Sequence, residues 1–344
     1  MNMITTDTNF AKYLSRFLSG YLPHQRNMSP NTVASYRDTF VQFIDYMKDV
    51  RHVKVEKLTL DKLTCECVLG FLSWVQQERG CGTATRNYRL AAIHSFISYL
   101  QYEEIEHLEQ WQKVLSIKAL KTERKTINYL TTEGIKALLE QPDTTTPGGR
   151  RNLALLSLMY DTGCRVQEVI DLMPESLRIE GKPYTIKLVG KGRKARIVPL
   201  LDEQVVILKR YMEENNLFEN HRSKHPLFFN ARGEKLTRAG VTYILKTYVD
   251  LARKDHQELI PERVSCHSLR HSKSMHLLQS GVNVVYLRDL LGHVSIQTTD
   301  VYARADSKQK REALEKAYVD LVPENAKTRE WEKNPNLLDW LKSL

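Results

Sequence analysis

No stretch of this 344-residue chain is apolar for long enough to cross a bilayer. The most apolar run, Leu153 to Tyr160, is interrupted by Ser157 and falls well short of the roughly 20 residues a spanning helix needs. The N-terminus, Met-Asn-Met-Ile-Thr-Thr-Asp, has neither a basic nor an apolar segment, which predicts no secretory signal. Cysteine is scarce and odd in number, at positions 65, 67, 81, 164 and 266. Cys65 and Cys67 stand closer than a C-x2-C clip, so reduced thiols of a cytosolic protein are expected. His267 and His271 share a helix face, but no glutamate lies between them as in a zincin and no cysteine pair assists, so no metal is expected. His271 and His276 read as ordinary packing or surface residues. Gly190-Lys191-Gly192 lacks the earlier glycine and the following Ser/Thr of a nucleotide loop. No acidic cluster suits a metal pair, and no cofactor is expected.

What the chain does have is basic charge, a formal net of +10. That excess favours a polyanionic partner, although a merely well-solvated surface would carry it too; charge alone does not decide. The length allows two domains with a core each. The first reads as a helical bundle. Phe10, Tyr13, Leu14, Phe17, Leu18 and Tyr21 repeat at helical spacing over 9–22. Ser29-Pro30 opens a second helix as cap and first residue. A third is expected over 61–77, and Thr83 caps a fourth carrying Leu90, Ile93, Phe96, Ile97 and Leu100. Arg86 and Arg89, off that apolar stripe, are candidates for a phosphate backbone beside the plainer reading of a solvated charged face. Residues 118–128 form a basic connector with little periodicity, whose Lys121, Arg124 and Lys125 suit the same partner.

Beyond the connector, helix is expected over 132–139, while 142–149, with three threonines and two glycines, reads as a surface loop. Asn152 to Tyr160 reads as a buried helix, with another from Val166 to Leu172. Tyr184 to Val189 and Arg196 to Leu200 are β-rich and frame a hairpin with a basic tip that holds Lys191 and Arg193. Residues 227–230 suggest one more strand or turn. Helices are expected at 203–215, 238–254, 267–280, 283–291, 297–303 and 307–321, so the fold class is mainly α with a small β-sheet or hairpin.

The chemistry concentrates between Ser265 and Tyr302. His267 and Arg270, three apart, project from one helix face. Gly281 and Gly292 follow apolar segments where left-handed caps end helices. His293 comes next, and Tyr302 nine positions later. No apolar core asks for two histidines, an arginine and a tyrosine in one place; a site that holds and attacks a phosphate diester does. Arg165 by itself would be an ion-pair partner of Glu168. It is not by itself. The order Gly-Cys-Arg165-Val-Gln-Glu168, Gly-Lys191-Gly, His267-x-x-Arg270, Leu-Gly-His293 and Tyr302 resembles the tyrosine recombinase (phage integrase) family over essentially the whole chain. Cys164 before the arginine, and Ser272 where threonine is common, are conservative departures.

The resemblance implies a helical core-binding (SAM-like) domain at 1–117, the linker at 118–128, an α+β catalytic domain at 129–322 and a tail at 323–344. It implies the simple recombinase or transposon-integrase type, without an arm-binding domain. The function implied is site-specific recombination, integration or transposition on double-stranded DNA, in the cytoplasm at the nucleoid. Homotetramers would exchange strands through a 3′-phosphotyrosine intermediate and a Holliday junction, with accessory proteins left open. Arg165, Lys191, His267, Arg270, His293 and Tyr302 would be catalytic and Glu168 supporting, with no metal or ATP. The chemistry agrees. Guanidinium forks match a phosphodiester better than lysines do. A phenol, with an ordinary pKa of about 10, needs a base or a positive field; His267 is the candidate base, His293 a donor to the phosphate and Lys191 the acid for the leaving 5′-oxygen. Trp331, Leu337, Leu338, Trp340, Leu341 and Leu344 give the tail an apolar face that docks in cis or on a neighbouring protomer. A type IB topoisomerase, or a non-catalytic DNA-binding regulator, are the other readings.

Overall fold

The structure, a computed structural model, describes residues 8–122, 127–190, 192, 194–292, 299, 302 and 342. It divides into two compact units, Met1–Lys125 and Thr126–Leu344. Among the described residues the first unit is helical. Helix α1 (Asn9–Arg16) is capped by Thr8 and continues as a π-helical stretch, Phe17–Gln25. That wider winding carries the chain past Pro23, beyond the 9–22 stretch of helical spacing. Helix α2 (Pro30–Asp49) starts as expected, with the Ser29 hydroxyl accepting from the Thr32 amide. Helix α3 (Cys65–Gln77) begins later than the anticipated residue 61, because Thr64 is its cap and Leu60–Lys62 forms a separate 3-10 turn. Helix α4 (Thr83–Glu103) is followed by α5 (Leu108–Leu115), a short helix not foreseen. Its Trp111 and Val114 are fully buried among Phe96, Ile97 and Leu100 in an aromatic-rich core. Phe17 sits 5.1 Å from Phe96 between ring centroids, and Phe40 the same. Each such ring contributes about 1.5–3 kcal/mol by burial.

Arg86 requires a correction: it is 6% exposed and is not a surface cation. Its guanidinium donates to the Lys118 carbonyl at 3.5 Å and to Asn87 Oδ1 at 3.1 Å. Asn87 in turn exchanges hydrogen bonds with the Leu120 backbone, so the first linker residues are docked on α4. Arg89 donates to the Ser35 carbonyl and to Thr39 Oγ1. Lys121 is exposed, whereas Arg124 and Lys125 lie outside the described residues.

His107 ties this unit across sequence, with Nε2 2.6 Å from Asp61 Oδ1 and Nδ1 2.7 Å from Glu104 Oε2. The Asp61 hydrogen bond, and then Glu104, raise its pKa above the ordinary histidine value. A raised folded pKa stabilises fully below the unfolded value of about 6.5, and the contribution is lost as pH climbs through the folded pKa. His107→Gln should therefore cost more stability near pH 6 than near pH 9, read by thermal denaturation at both; an equal cost would refute the ion-pair account.

The second unit opens with α6 (Thr132–Leu139), capped by Thr131. The loop expected at 142–149 holds only to Thr146, because helix α7 (Pro147–Thr162) takes its last three residues. Thr146 caps it and Pro147 takes its first turn, a pairing that outweighs the two glycines. Leu155, Leu156, Leu158 and Met159 make α7 the centre of the core. Helix α8 (Val166–Ile170) leads to strands β1 (Leu177–Arg178), β2 (Thr185–Val189) and β3 (Ala195–Pro199), antiparallel in that order. Ile186, Leu188 and Val198 turn inward. Only a single bridge, Phe229 to Lys235, forms near 227–230. Then come α9 (Asp202–Glu214), α10 (Arg238–Asp255), α11 (Cys266–Gln279) and α12 (Val284–Leu291). The helices expected at 297–303 and 307–321, Tyr302 and Thr299 apart, and the tail at 323–344, Lys342 apart, lie outside the described residues.

Candidate active site

Three arginines from three elements meet at the C-terminal end of α12. A helix ends with carbonyls that lack helical partners and carry the negative pole of the helix dipole. Arg196 on β3 donates to the Leu290 carbonyl at 2.8 Å, Arg270 on α11 to Leu291 at 2.6 Å, and Arg165 to Gly292 at 3.4 Å. Arg270 also donates to the Gly163 carbonyl at the end of α7, at 2.6 Å. These bonds hold the segment that leads into His293. Glycine suits position 292: its φ is +63°, and a Cβ would lie 3.0 Å from Arg196 Cδ.

Glu168 binds two of the three guanidiniums. It receives Arg165 Nη1 at 2.7 Å and a bidentate pair from Arg196 at 3.0 and 2.8 Å. As the third residue of α8 it also accepts the Arg165 amide at 2.8 Å, reaching back to the helix start. Burial alone would raise its pKa, but hydrogen bonds from Arg196 and the Arg165 amide outweigh it, and the carboxyl is held below its ordinary value. Gly190, at the hairpin neck, packs so closely that a Cβ would meet Glu168 Oε1 at 2.9 Å. The neck thus reaches Arg165, while Lys191 and Arg193 on the tip lie outside the described residues. Three guanidiniums against one carboxylate leave these four groups with a surplus of positive charge. Burial, then the charges of Arg165 and Arg196, push Arg270 down to about 10, so it stays protonated at neutral pH.

Breaking this bracket should be costly. Glu168→Ala removes the buried carboxylate that pairs with largely enclosed Arg196, a loss of roughly 3–5 kcal/mol. Arg196→Lys should cost less, since one ammonium keeps a charge but not the forked geometry. Denaturant unfolding followed by circular dichroism measures both; a change under about 1 kcal/mol for Glu168→Ala, the value of an exposed pair, would refute the bracket.

His267 occupies the second position of α11, with an exposed outer face. Packing of its inner edge, then the charges of Arg270 and Arg165, lower its pKa. Tyr302 is 3% exposed and packs on Met275, Leu278, Leu287 and Leu291. Its hydroxyl lies 2.9 Å from Nδ1 of His271, not of the expected base His267. The reading of His271 as a mere packing residue is therefore corrected. His276 does pack as expected, with Nδ1 2.9 Å from the Tyr160 hydroxyl. His293 lies outside the described residues.

Residues 128–309 match the phage integrase family, and residues 14–104 match the phage integrase N-terminal SAM-like domain. The chain belongs to the phage integrase family. It is a tyrosine recombinase, an enzyme that transfers DNA strands in site-specific recombination or integration. It is 34% identical to an integrase/recombinase-type protein of Sinorhizobium fredii, y4rC, over 99% of this chain and 100% of that one. It is also 34% identical to the tyrosine recombinase XerD of Oceanobacillus iheyensis, over 82% and 90% respectively. The fold matches a XerH site-specific recombinase bound to palindromic difH substrate in a post-cleavage complex, with TM-score 0.68, 24% identity and 84% and 80% coverage. Among the described residues no helix is long and apolar enough to cross a membrane.

Two residues of this recombinase escaped the sequence reading. Arg196 was legible in principle: it shares the inward face of β3 with buried Val198, while Ile197 between them is 70% exposed. An arginine on an apolar face demands a partner. His271 follows Arg270 directly and stands one turn after His267, which placed it at the site without saying what it touched.

Proposed function

We propose that this recombinase cuts and rejoins DNA through Tyr302, with Arg165 and Arg270 holding the scissile phosphate. The observation that carries the reading is their convergence at the end of α12, beside a tyrosine hydroxyl held from α11. The Tyr302 oxygen forms a bond to phosphorus as the bond to the 5′-oxygen breaks. The phenolic proton passes to an imidazole, for which His267 is the candidate, and Lys191 donates one to the departing oxygen. A positioned acid of that kind is worth about two to four powers of ten in rate. Guanidiniums that are already fixed stabilise the added negative charge without reorganising. His293 donates to a non-bridging oxygen, and Glu168 keeps Arg165 in place. The phosphotyrosine conserves the energy of the cut strand, so religation needs no ATP.

The same reading extends to four protomers on two sites exchanging strands through a Holliday junction, with the 323–344 tail as a contact between protomers, and to a cytoplasmic, nucleoid-associated enzyme. Residues 1–117, 118–128 and 129–322 would divide the chain into binding domain, linker and catalytic domain. Lys121, Arg124, Lys125 and Arg193 are the cations we assign to DNA; Arg86 and Arg89 would serve through the α4 surface they hold.

The test is a nicked suicide substrate carrying a site isolated by binding selection. A covalent 3′-linked adduct should accumulate in chelator and without nucleotide. Binding should also weaken steeply with salt, by roughly 10³-fold between 50 and 200 mM for about six phosphate contacts. Absence of an adduct would favour a non-catalytic regulator, and supercoil relaxation by a monomer would favour a topoisomerase.

A further inference from the structure

We infer that His271 is the positioning residue for the nucleophile: its Nδ1 holds the Tyr302 hydroxyl and sets the phenol's direction of attack. This rests on Tyr302 being the nucleophile. The contact is 2.9 Å, with the rings tilted at 56° and their centroids 5.6 Å apart. Apolar side chains of α11 and α12 enclose the ring, so its position is fixed by packing and its oxygen is fixed by a polar partner. That partner is adjacent in sequence to Arg270, which ties the phenol to the same helix turn as a phosphate-holding guanidinium.

Burial, then the neighbouring His267 and Arg270, push His271 down to about 4. The ring is therefore neutral at working pH. A group so reluctant to take a proton orients the phenol but does not deprotonate it in the DNA-free protein. His271 thus differs in role from the exposed His267, whose ring centroid lies 6.3 Å away. Orientation has a large effect on its own, since a displacement of about 1 Å at a reacting atom can cost 10²-fold in rate.

The experiment is single-turnover formation of the covalent adduct by the full chain, with DNA affinity measured in parallel. His271→Ala should slow adduct formation about 10²-fold with affinity unchanged. Asn and Leu are close in size, and only Asn places a polar atom near the site of Nδ1. His271→Asn should recover most of the rate and His271→Leu none, a contrast that reads the polar atom even where the alanine variant folds poorly. With a 5′-bridging sulfur as leaving group, the loss in His271→Leu should persist, whereas the loss in Lys191→Ala should be relieved. Equal rates for Asn and Leu, a His271 variant faster than wild type, or rescue by sulfur would each overturn the proposal. Tyr302→Phe serves as the separate arm: an adduct there overturns the nucleophile assignment itself, whatever the His271 series shows.

Discussion

Tyr302→Phe should bind its DNA site with affinity within about twofold of wild type and form no covalent adduct, a loss of more than roughly 10³-fold in rate. The substitution removes one oxygen from a residue that is 3% exposed and leaves the ring in its apolar nest of Met275, Leu278, Leu287 and Leu291. The structural cost is confined to polar contacts of the hydroxyl, including that with His271. A hydrogen bond of that kind contributes about 0.5–1.5 kcal/mol, so unfolding should shift little. Binding depends on cations that the change does not touch. The prediction therefore separates chemistry from fold and from affinity in one variant, and gel resolution of protein–DNA adducts is the readout. An adduct in the Phe variant would mean that another side chain attacks the phosphate.

How much of this was legible in the sequence follows from what kind of signal each feature leaves. The helices with a clean cap and an apolar stripe were read to within a residue or two: α2 from Ser29-Pro30, α6 from Thr131, α12 between Asn283 and Gly292. The β2–β3 hairpin was legible because its alternation flanks a glycine-rich tip. Misses occurred where two local signals conflicted. At 146–149 glycines suggested a loop, but the cap and proline begin α7 there. Helical spacing stops at residue 22, yet the backbone widens into a π-helix that runs through Pro23 to Gln25. Short α5, with eight residues, offers too few turns for periodicity to show. At the site, residue identities were legible from their order along the chain, yet their pairing was not. Sequence spacing links Arg165 to Glu168, but nothing local links Glu168 to Arg196, 28 positions on, or His271 to Tyr302, 31 positions on. Such contacts are consequences of packing between elements and appear only when the fold is assembled.

Arg270→Lys should prove nearly as damaging as losing the nucleophile, for reasons that distinguish it from Arg165→Lys. Arg270 is 4% exposed and spans two helix ends, donating to Gly163 after α7 and to Leu291 of α12, each at 2.6 Å. A guanidinium has five donors in a rigid fork, so it can serve both carbonyls and still face a phosphate oxygen. An ammonium is a single point and satisfies at most part of that arrangement. The buried carbonyl it abandons should cost about 1–3 kcal/mol of stability. Removing one preorganised donor from the developing charge should cost about 10²–10³-fold in the rate of adduct formation. Arg165→Lys should show the same loss of rate with a smaller loss of stability, because the Arg165 side chain is 30% exposed and Glu168 keeps its two bonds from Arg196. Affinity for DNA should change little in either variant, since one positive charge remains in each. Single-turnover kinetics beside denaturant unfolding tests the pair. If Arg270→Lys kept its rate within tenfold of wild type, the guanidinium would be a brace between α7 and α12 and not a ligand of the phosphate.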